Sequence, residues 1–582
     1  MLNLLASNMK SFYNINASRL TMAIMLIFAG AVFTGCSKDK EADVVAPAGD
    51  GSKLMVSVVG VADLEELSVN TKMAGAALKS TVKTDDVMPS KMLSMNGFDA
   101  LMEVERNAIP ASKLVIMDKK SNTAAAGLRA EAVATGVKYR LFLYKADGTF
   151  VSSTLLTSGS AQPITVETST TYNWYALSYN NNEDVADIVD RAQPSIKLPV
   201  GKDVLYSSGT VTVPDANAGT NTALGIVFKH SLARVGVEIN TMGMFADMSK
   251  VGIKVSGIAV KTGTLALKTG VLSNLVDTAQ TVDYSSFKNV DPAFADAKIA
   301  YIYTADTQTA SPMTVSVNAL ELKIDDGSTR VFSTLPTTPS VFTFNNFPRK
   351  IGATYTARVN MIESALTRGS VRWARQNIYY VAGHNPYRFH HTYAHVQNQN
   401  SFFSFGATLP QTYGRSGDPC TLVYPGNVWR RPTSNELANL TGNAGINATY
   451  GVVDGKGYFE YNATGTAAPY PGNRLRFNMN GQSVSVSVVE NLVNINLGTT
   501  HGVQASYWSS TEVLSVPLLG LGAGANSLEG VRTTPILVGS TFNDVTIAPN
   551  LLNIDLLNLG VAKTTFKNIR CVRAALPAEP IP

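Results

Sequence analysis

The chain has 582 residues, enough for three or four domains that each bury a core of their own. Only 16% of the residues are charged and the net charge is +5, without a long basic run; this excludes nucleic acid as the partner, because phosphate binding needs clustered Lys and Arg. Many Gly, Ser, Thr and Asn residues between short apolar runs imply a mainly β body.

At the N-terminus, Lys10 and Arg19 precede an apolar run from Leu20 to Phe33 that is too short to span a bilayer comfortably, the pattern of an export signal. The run ends Phe33-Thr34-Gly35-Cys36, which resembles a bacterial lipobox with Cys36 as the acylated residue. The tract after it, Ser37-Lys38-Asp39-Lys40-Glu41, is similar to the surface-export tracts of Bacteroidetes lipoproteins. The competing reading is an ordinary secretory signal followed by a chance cysteine. The resemblance implies a signal peptide over 1–35, lipidation at Cys36 and a surface-exposed position on the outer membrane. Export also means an oxidising compartment, in which disulfides persist.

From Lys53 onward the pattern is one of short strands. Leu54 to Val59 reads as a buried strand, and Phe98 to Val104 as another. Asn122 to Ala130 is rich in small residues with little to bury, a stretch open to proteases. Tyr139 to Tyr144 and Thr149 to Val151 flank Asp147-Gly148, a hairpin signal because both turn positions favour positive φ. Tyr172 to Tyr179 follows, ending at the polar turn Asn180-Asn181-Asn182.

This order resembles the Bacteroidetes fimbrillin-like proteins. The residues that carry the resemblance are Arg129-Ala130, Gly136, Lys138-Tyr139-Arg140, Leu143-Tyr144, Gly148, Phe150 and Tyr172 to Asn181. Phe228 to Val237 is similar to the strand that opens the second fimbrillin domain, and Tyr355 to Met361 closes that domain before a linker, Ile362 to Thr367. The resemblance implies two transthyretin-like Greek-key β-sandwich domains, over 36–220 with a cleavable leading segment and over 221–367. It further implies trimming after Arg129, so that Ala130 becomes the new N-terminus. Removing the leading strand then opens a groove that a strand from a neighbouring subunit fills. An ordinary loop arginine is the alternative for Arg129.

The last third, Arg368 to Arg573, holds Cys420 and Cys571, two of only three cysteines. With Cys36 assigned to lipid, each has only the other as a partner. A bond between them closes a loop of roughly 150 residues, worth about 5 kcal/mol in the chain-entropy model. Thr433-Ser434-Asn435-Glu436 is a capping box, Leu437 and Leu440 fall on one helix face, and Gly442 is the stop. Cys420, Trp429-Arg430-Arg431-Pro432-Thr433, Glu436, Leu440, Tyr507-Trp508-Ser509-Ser510 and Ile569-Arg570-Cys571-Val572 resemble the C-type-lectin-like modules called major paralogous domains. That resemblance implies an α+β C-type-lectin-like domain over 368–582. Arg431 stands where that family usually has an apolar residue.

Four of the six histidines cluster at His384, His390, His391 and His395. Three could hold zinc, yet no supporting carboxylate lies nearby in sequence, and a polar aromatic loop is the favoured reading, with no metal and no cofactor expected. Tyr458, Tyr461 and Tyr470, with Phe459, Tyr507 and Trp508, are candidates for a platform on which sugar rings stack, although Trp508 is expected to be core. No Glu-Pro-Asn or Gln-Pro-Asp triplet of calcium-dependent lectins occurs, nor a Gly-x-Ser-x-Gly or His-Glu-x-x-His motif. The expected protein is a non-enzymatic fimbrial subunit that pairs with other subunits by strand addition and binds a glycan or protein ligand through its last domain. The tail, with Pro577, Pro580 and Pro582, lacks the N–H donors of an inserting strand, which points to a pilus tip. A lipid-retained anchor or glycan-binding protein that never polymerises is the alternative.

Overall fold

The computed structural model describes residues 52–62, 90–106, 114–116, 129–215, 221–307, 312–412, 416–441, 448–487, 495–513, 524–533, 541–542, 545–550, 554–555 and 562–575. The export signal, Cys36 and the Pro-rich tail lie outside the described residues.

The first strands in chain order are β1 (Ser52–Ala62), β2 (Lys91–Ser94), β3 (Phe98–Arg106), β4 (Leu114–Ile116), β5 (Arg129–Glu131) and β6 (Lys138–Lys145). Next come β7 (Phe150–Thr157), β8 (Gln162–Val166), β9 (Thr170–Ser178), β10 (Ser195–Lys197), β11 (Leu205–Val213) and β12 (Asn221–His230). One sheet runs β4-β5-β1-β12-β11-β9-β6-β7, with β8 paired to β1 as well. Its core draws Leu54 and Val56 from β1, Tyr139, Leu141 and Leu143 from β6, Tyr172 and Trp174 from β9, and Leu224, Ile226 and Phe228 from β12. A core supplied by a single sheet requires that sheet to curl over on itself, which the right-handed twist of strands favours. The hairpin expected at Asp147-Gly148 forms with one positive φ, at Gly148, while Asp147 Oδ1 accepts from the Thr149 amide at 2.8 Å.

The chain then builds the second body with β13 (Ala233–Gly243), β14 (Ala246–Ser256) and β17 (Lys288–Asn289), while β15 (Val260–Ala266) and β16 (Val271–Thr278) form a small separate sheet with β10. The second body continues with β18 (Ala297–Thr304), β19 (Met313–Ile324), β20 (Thr329–Val331), β21 (Ser340–Phe344) and β22 (Thr354–Glu363). A six-stranded sheet, β17-β18-β13-β22-β3-β2, faces a second sheet built on β14 and β19. Between them Val235, Val237, Met313, Val315, Phe342, Tyr355 and Val359 pack with Phe98, Ala100, Met102 and Val104 of β3. Along β19 and β21 alternate residues point inward, as a sandwich with one solvated face requires, whereas β22 is buried along nearly its whole length.

The domain boundaries differ from those expected. Phe228 to Val237 is two strands: β12 ends at His230 and stays in the first sheet, and β13 begins at Ala233 in the second. The apolar period explains the break, since Leu224, Ile226 and Phe228 enter one core and Val235, Val237 and Ile239 another. Conversely β2 and β3, which precede Arg129, belong to the second body. Ile362 to Thr367 is no free linker, because Ile362 and Leu366 are fully buried and Leu366–Arg368 pairs with Val371–Trp373.

Among the described residues, the C-terminal module is a set of short strands around one α-helix, α1 (Ser434–Thr441). The capping box forms: the Glu436 amide donates to Thr433 Oγ1 at 3.2 Å and the Thr433 amide to Glu436 Oε2 at 2.7 Å. Cys420 and Cys571 are bonded across 151 residues. Arg431 is buried with its guanidinium over the Phe405 ring at 4.8 Å and donates to the Gly417 carbonyl at 2.9 Å, so its stem replaces the apolar residue expected there.

Candidate functional site

The leading segment fills a slot in each β body. β1 lies between β12, in parallel from Lys53 opposite Asn221 to Ala62 opposite Lys229, and β8 and β5, both antiparallel. β3 runs antiparallel to β22, with Phe98 opposite Glu363 and Arg106 opposite Tyr355. The backbone of Arg129–Glu131 is itself a strand, paired with Leu114–Ile116 and, at Glu131, with Val61. Residues 121–128 of the small-residue stretch lie outside the described residues.

The turn between β2 and β3 reaches into the C-terminal module. Gly97 sits at φ +94°, and a Cβ there would come within 3.2 Å of Phe332, so the turn needs glycine for conformation and for space. Its carbonyl accepts from the Tyr470 hydroxyl at 2.7 Å. Two residues on, Asp99 Oδ2 accepts from Arg573 Nη2 at 2.6 Å, and both side chains are buried.

Beside this joint a small cleft of about 10 Å³, room for about one water, is lined by Arg330, Glu363, Arg375, His390, His391 and Tyr393, among others. Arg330 pairs with Glu363 at 3.1 Å, and Arg375 donates to the Ser364, Gly472 and Thr466 carbonyls while stacking on Tyr470 at 3.7 Å. Burial drives the His390 imidazole down to about 3, and burial next to Arg330 holds His391 below its usual range. Burial likewise pushes the Tyr470 hydroxyl up to about 12. The cleft joins the second body to the module through polar groups whose charged forms are costly.

His390 and His391 share the cleft lining, and the other two clustered histidines lie in separate surroundings. His384 bonds Asp296 at 2.8 Å and stacks on Phe294, His390 bonds Ser401 at 2.9 Å and stacks on Tyr379, and His395 bonds the Gly457 carbonyl at 2.7 Å. Among the described residues no three His, Cys, Asp or Glu side chains gather as a metal site.

The tyrosines proposed for stacking do not make a platform together. Tyr461 is 2% exposed within the module core, and Tyr470 is 6% exposed against the second body, so neither offers a face to a sugar ring. Tyr458 is more open, but Arg476 covers its ring at 3.8 Å. Trp508 is buried and donates from Nε1 to the Phe403 carbonyl at 2.8 Å. Sequence reasoning missed the Asp99–Arg573 pair. Its one sequence signal was Asp99, an acid at the second position of a strand that alternates apolar residues with Asp99, Glu103 and Glu105.

No protein-family model matches this chain, and no curated protein sequence does either. Among solved structures, a candidate cell adhesion protein from Bacteroides fragilis aligns over 55% of this chain and 99% of its own, at 12% identity and TM-score 0.29. The fimbrial anchor protein Mfa2 from Porphyromonas gingivalis aligns over 34% and 74%, at 14% identity and TM-score 0.21. A candidate adhesin from Bacteroides ovatus aligns over 55% and 92%, at 8% identity and TM-score 0.20. At these scores the likeness carries no argument about fold or function.

Proposed function

We propose that this chain is a non-enzymatic, fimbrillin-like surface subunit of a fimbrium, exported as a lipoprotein on Cys36 and seated at the tip. Its two β bodies are read as transthyretin-like sandwiches, and its last domain as a lectin-like module that meets a glycan or protein ligand. The observation that supports this most is the double placement of the leading segment, with β1 in one body and β3 in the other. Cleavage after Arg129 and departure of that segment would take Leu54, Val56, Phe98, Met102 and Val104 out of two cores. At roughly 1.5–3 kcal/mol for each large apolar side chain, the loss is on the order of 10 kcal/mol, comparable with the whole stability of a domain. A vacancy of that depth demands a replacement strand, whose main chain pairs with β12 or β22 and whose alternate side chains fill the core.

A second reading is a lipid-retained anchor or surface glycan-binding protein that never polymerises. It is favoured by the pairing of Arg129–Glu131 with Leu114–Ile116 and of Glu131 with Val61, since a protease must draw its substrate out as a free extended segment. Mass spectrometry of the native protein separates the two. A mature N-terminus at Ala130 supports the polymerising subunit, and an intact acylated Cys36 supports the anchor. In the first case Arg129→Ala is expected to block maturation; a variant processed and incorporated like the wild type would remove Arg129 as the cut site.

A further inference from the structure

β3 is held by two bodies that contact its opposite faces. Phe98, Ala100, Met102 and Val104 enter the core of the second body. Asp99 and Leu101 point the other way, Leu101 into an apolar cluster of the C-terminal module with Phe389 and Trp429. Arg573, which bonds Asp99, is fixed independently of it: its guanidinium stacks on Trp429 at 3.9 Å and Nη2 also donates to the Glu363 carbonyl of β22 at 3.0 Å.

Further along the same face Asn360 Nδ2 donates to Glu103 Oε2 at 2.7 Å. The module's Tyr424 hydroxyl donates to Asn360 Oδ1 at 2.7 Å and accepts from Asn240 at 2.9 Å, which sets the amide so that its donor end faces β3. Glu105 lies 3.0 Å from Arg358. The outer row of β3 therefore reads acid, apolar, acid, acid, and each acid meets a donor held by other groups. β1 has no such row, since Ser52–Ala62 carries Lys53 as its one charged residue.

We infer that the C-terminal module selects the strand that lies against β22. The fitting partner is an extended segment with apolar residues at the positions of Phe98, Ala100, Met102 and Val104. Its other face carries an acid at the position of Asp99, an apolar residue at that of Leu101, and acids at those of Glu103 and Glu105. The inference rests on the reading that a neighbouring subunit's strand replaces the leading segment. The inner row gives affinity to any alternating apolar strand, and the outer row gives the choice, because a strand without the acid takes the Asp99 carboxylate away from the buried Arg573 cation.

Two measurements test this. In the intact chain, hydrogen exchange of residues 98–106 is followed by mass spectrometry in Asp99→Asn, Arg573→Gln and the double variant. Each single change is expected to speed exchange by roughly a hundredfold, the double variant adding little beyond either. Asp99→Glu, which keeps the charge, should stay near the wild type and separates loss of the pair from loss of the fold. Unchanged exchange in both single variants would overturn the inference. In the second measurement, wild-type chain trimmed after Arg129 is offered a synthetic peptide of residues 98–106 or its Asp99→Asn form. At least a roughly tenfold preference for the acid is expected. Equal binding would also overturn the selection, whereas binding of neither peptide sinks strand replacement itself and leaves the selection to be decided by the exchange data.

Discussion

His390 and Arg570 show how the module fixes single residues by burial, and each makes a prediction. His390 is neutral in the fold, with burial taking its imidazole to about 3 against about 6.5 in an unfolded chain. Above about pH 6.5 both states are neutral there and stability is flat in this residue. Below it the unfolded state takes up the proton first, so stability is lost as pH falls from about 6.5 towards about 3. Between pH 7 and pH 5 this one group should cost about 2 kcal/mol, and His390→Gln should lose that much less than the wild type in denaturant titrations at the two pH values. Arg570 is 1% exposed; it donates to Asn377 Oδ1 at 2.9 Å and to the Arg375 and Arg476 carbonyls at 2.6 Å each. A lysine keeps the charge but not the fork that reaches three acceptors. Arg570→Lys is therefore expected to destabilise by ~2–4 kcal/mol in the same titrations.

Among the elements, α1 was legible because its signals are local: the capping box and the leucines on one face lie within about ten residues, while Gly442, the expected stop, lies outside the described residues. The strands were legible as runs of alternating apolar residues, and the hairpin at Gly148 from its turn residues. What the runs did not carry was their sheet. β3 looks in sequence like a neighbour of β1, yet it pairs with β22, because antiparallel partners are chosen by the core that the inward row can complete. The disulfide belongs to this scale as well. It ties the Trp429–Arg430 and Val572–Arg573 strands, which pair with each other, into one end of the module. Replacing Cys420 and Cys571 by serine should destabilise the module by roughly 2–5 kcal/mol while the first β body keeps its protection. Hydrogen exchange resolved by segment checks this, and equal loss of protection in β6 and β9 would show that the two regions unfold together.

For the whole molecule, the proposed tip role makes a prediction about polarity. A tip accepts a strand and offers none, and Pro577, Pro580 and Pro582 make residues 576–582 a poor inserting strand. Deleting residues 576–582 should leave incorporation into fibres unchanged, and antibody against residues 368–573 should mark one end of each fibre. Labels spaced along the shaft would instead favour a stalk or accessory position. The sequence by itself determined the mainly β character, the pairing of Cys420 with Cys571 once Cys36 is set aside, and helix α1, because each depends on residues close together or on composition. Only the tertiary structure decided which body each leading strand serves, that Tyr461 and Tyr470 are core, and that Asp99 meets Arg573 across 474 positions. Those are contacts between distant segments, fixed by which apolar surfaces fit together, and no local pattern in the chain encodes the fit.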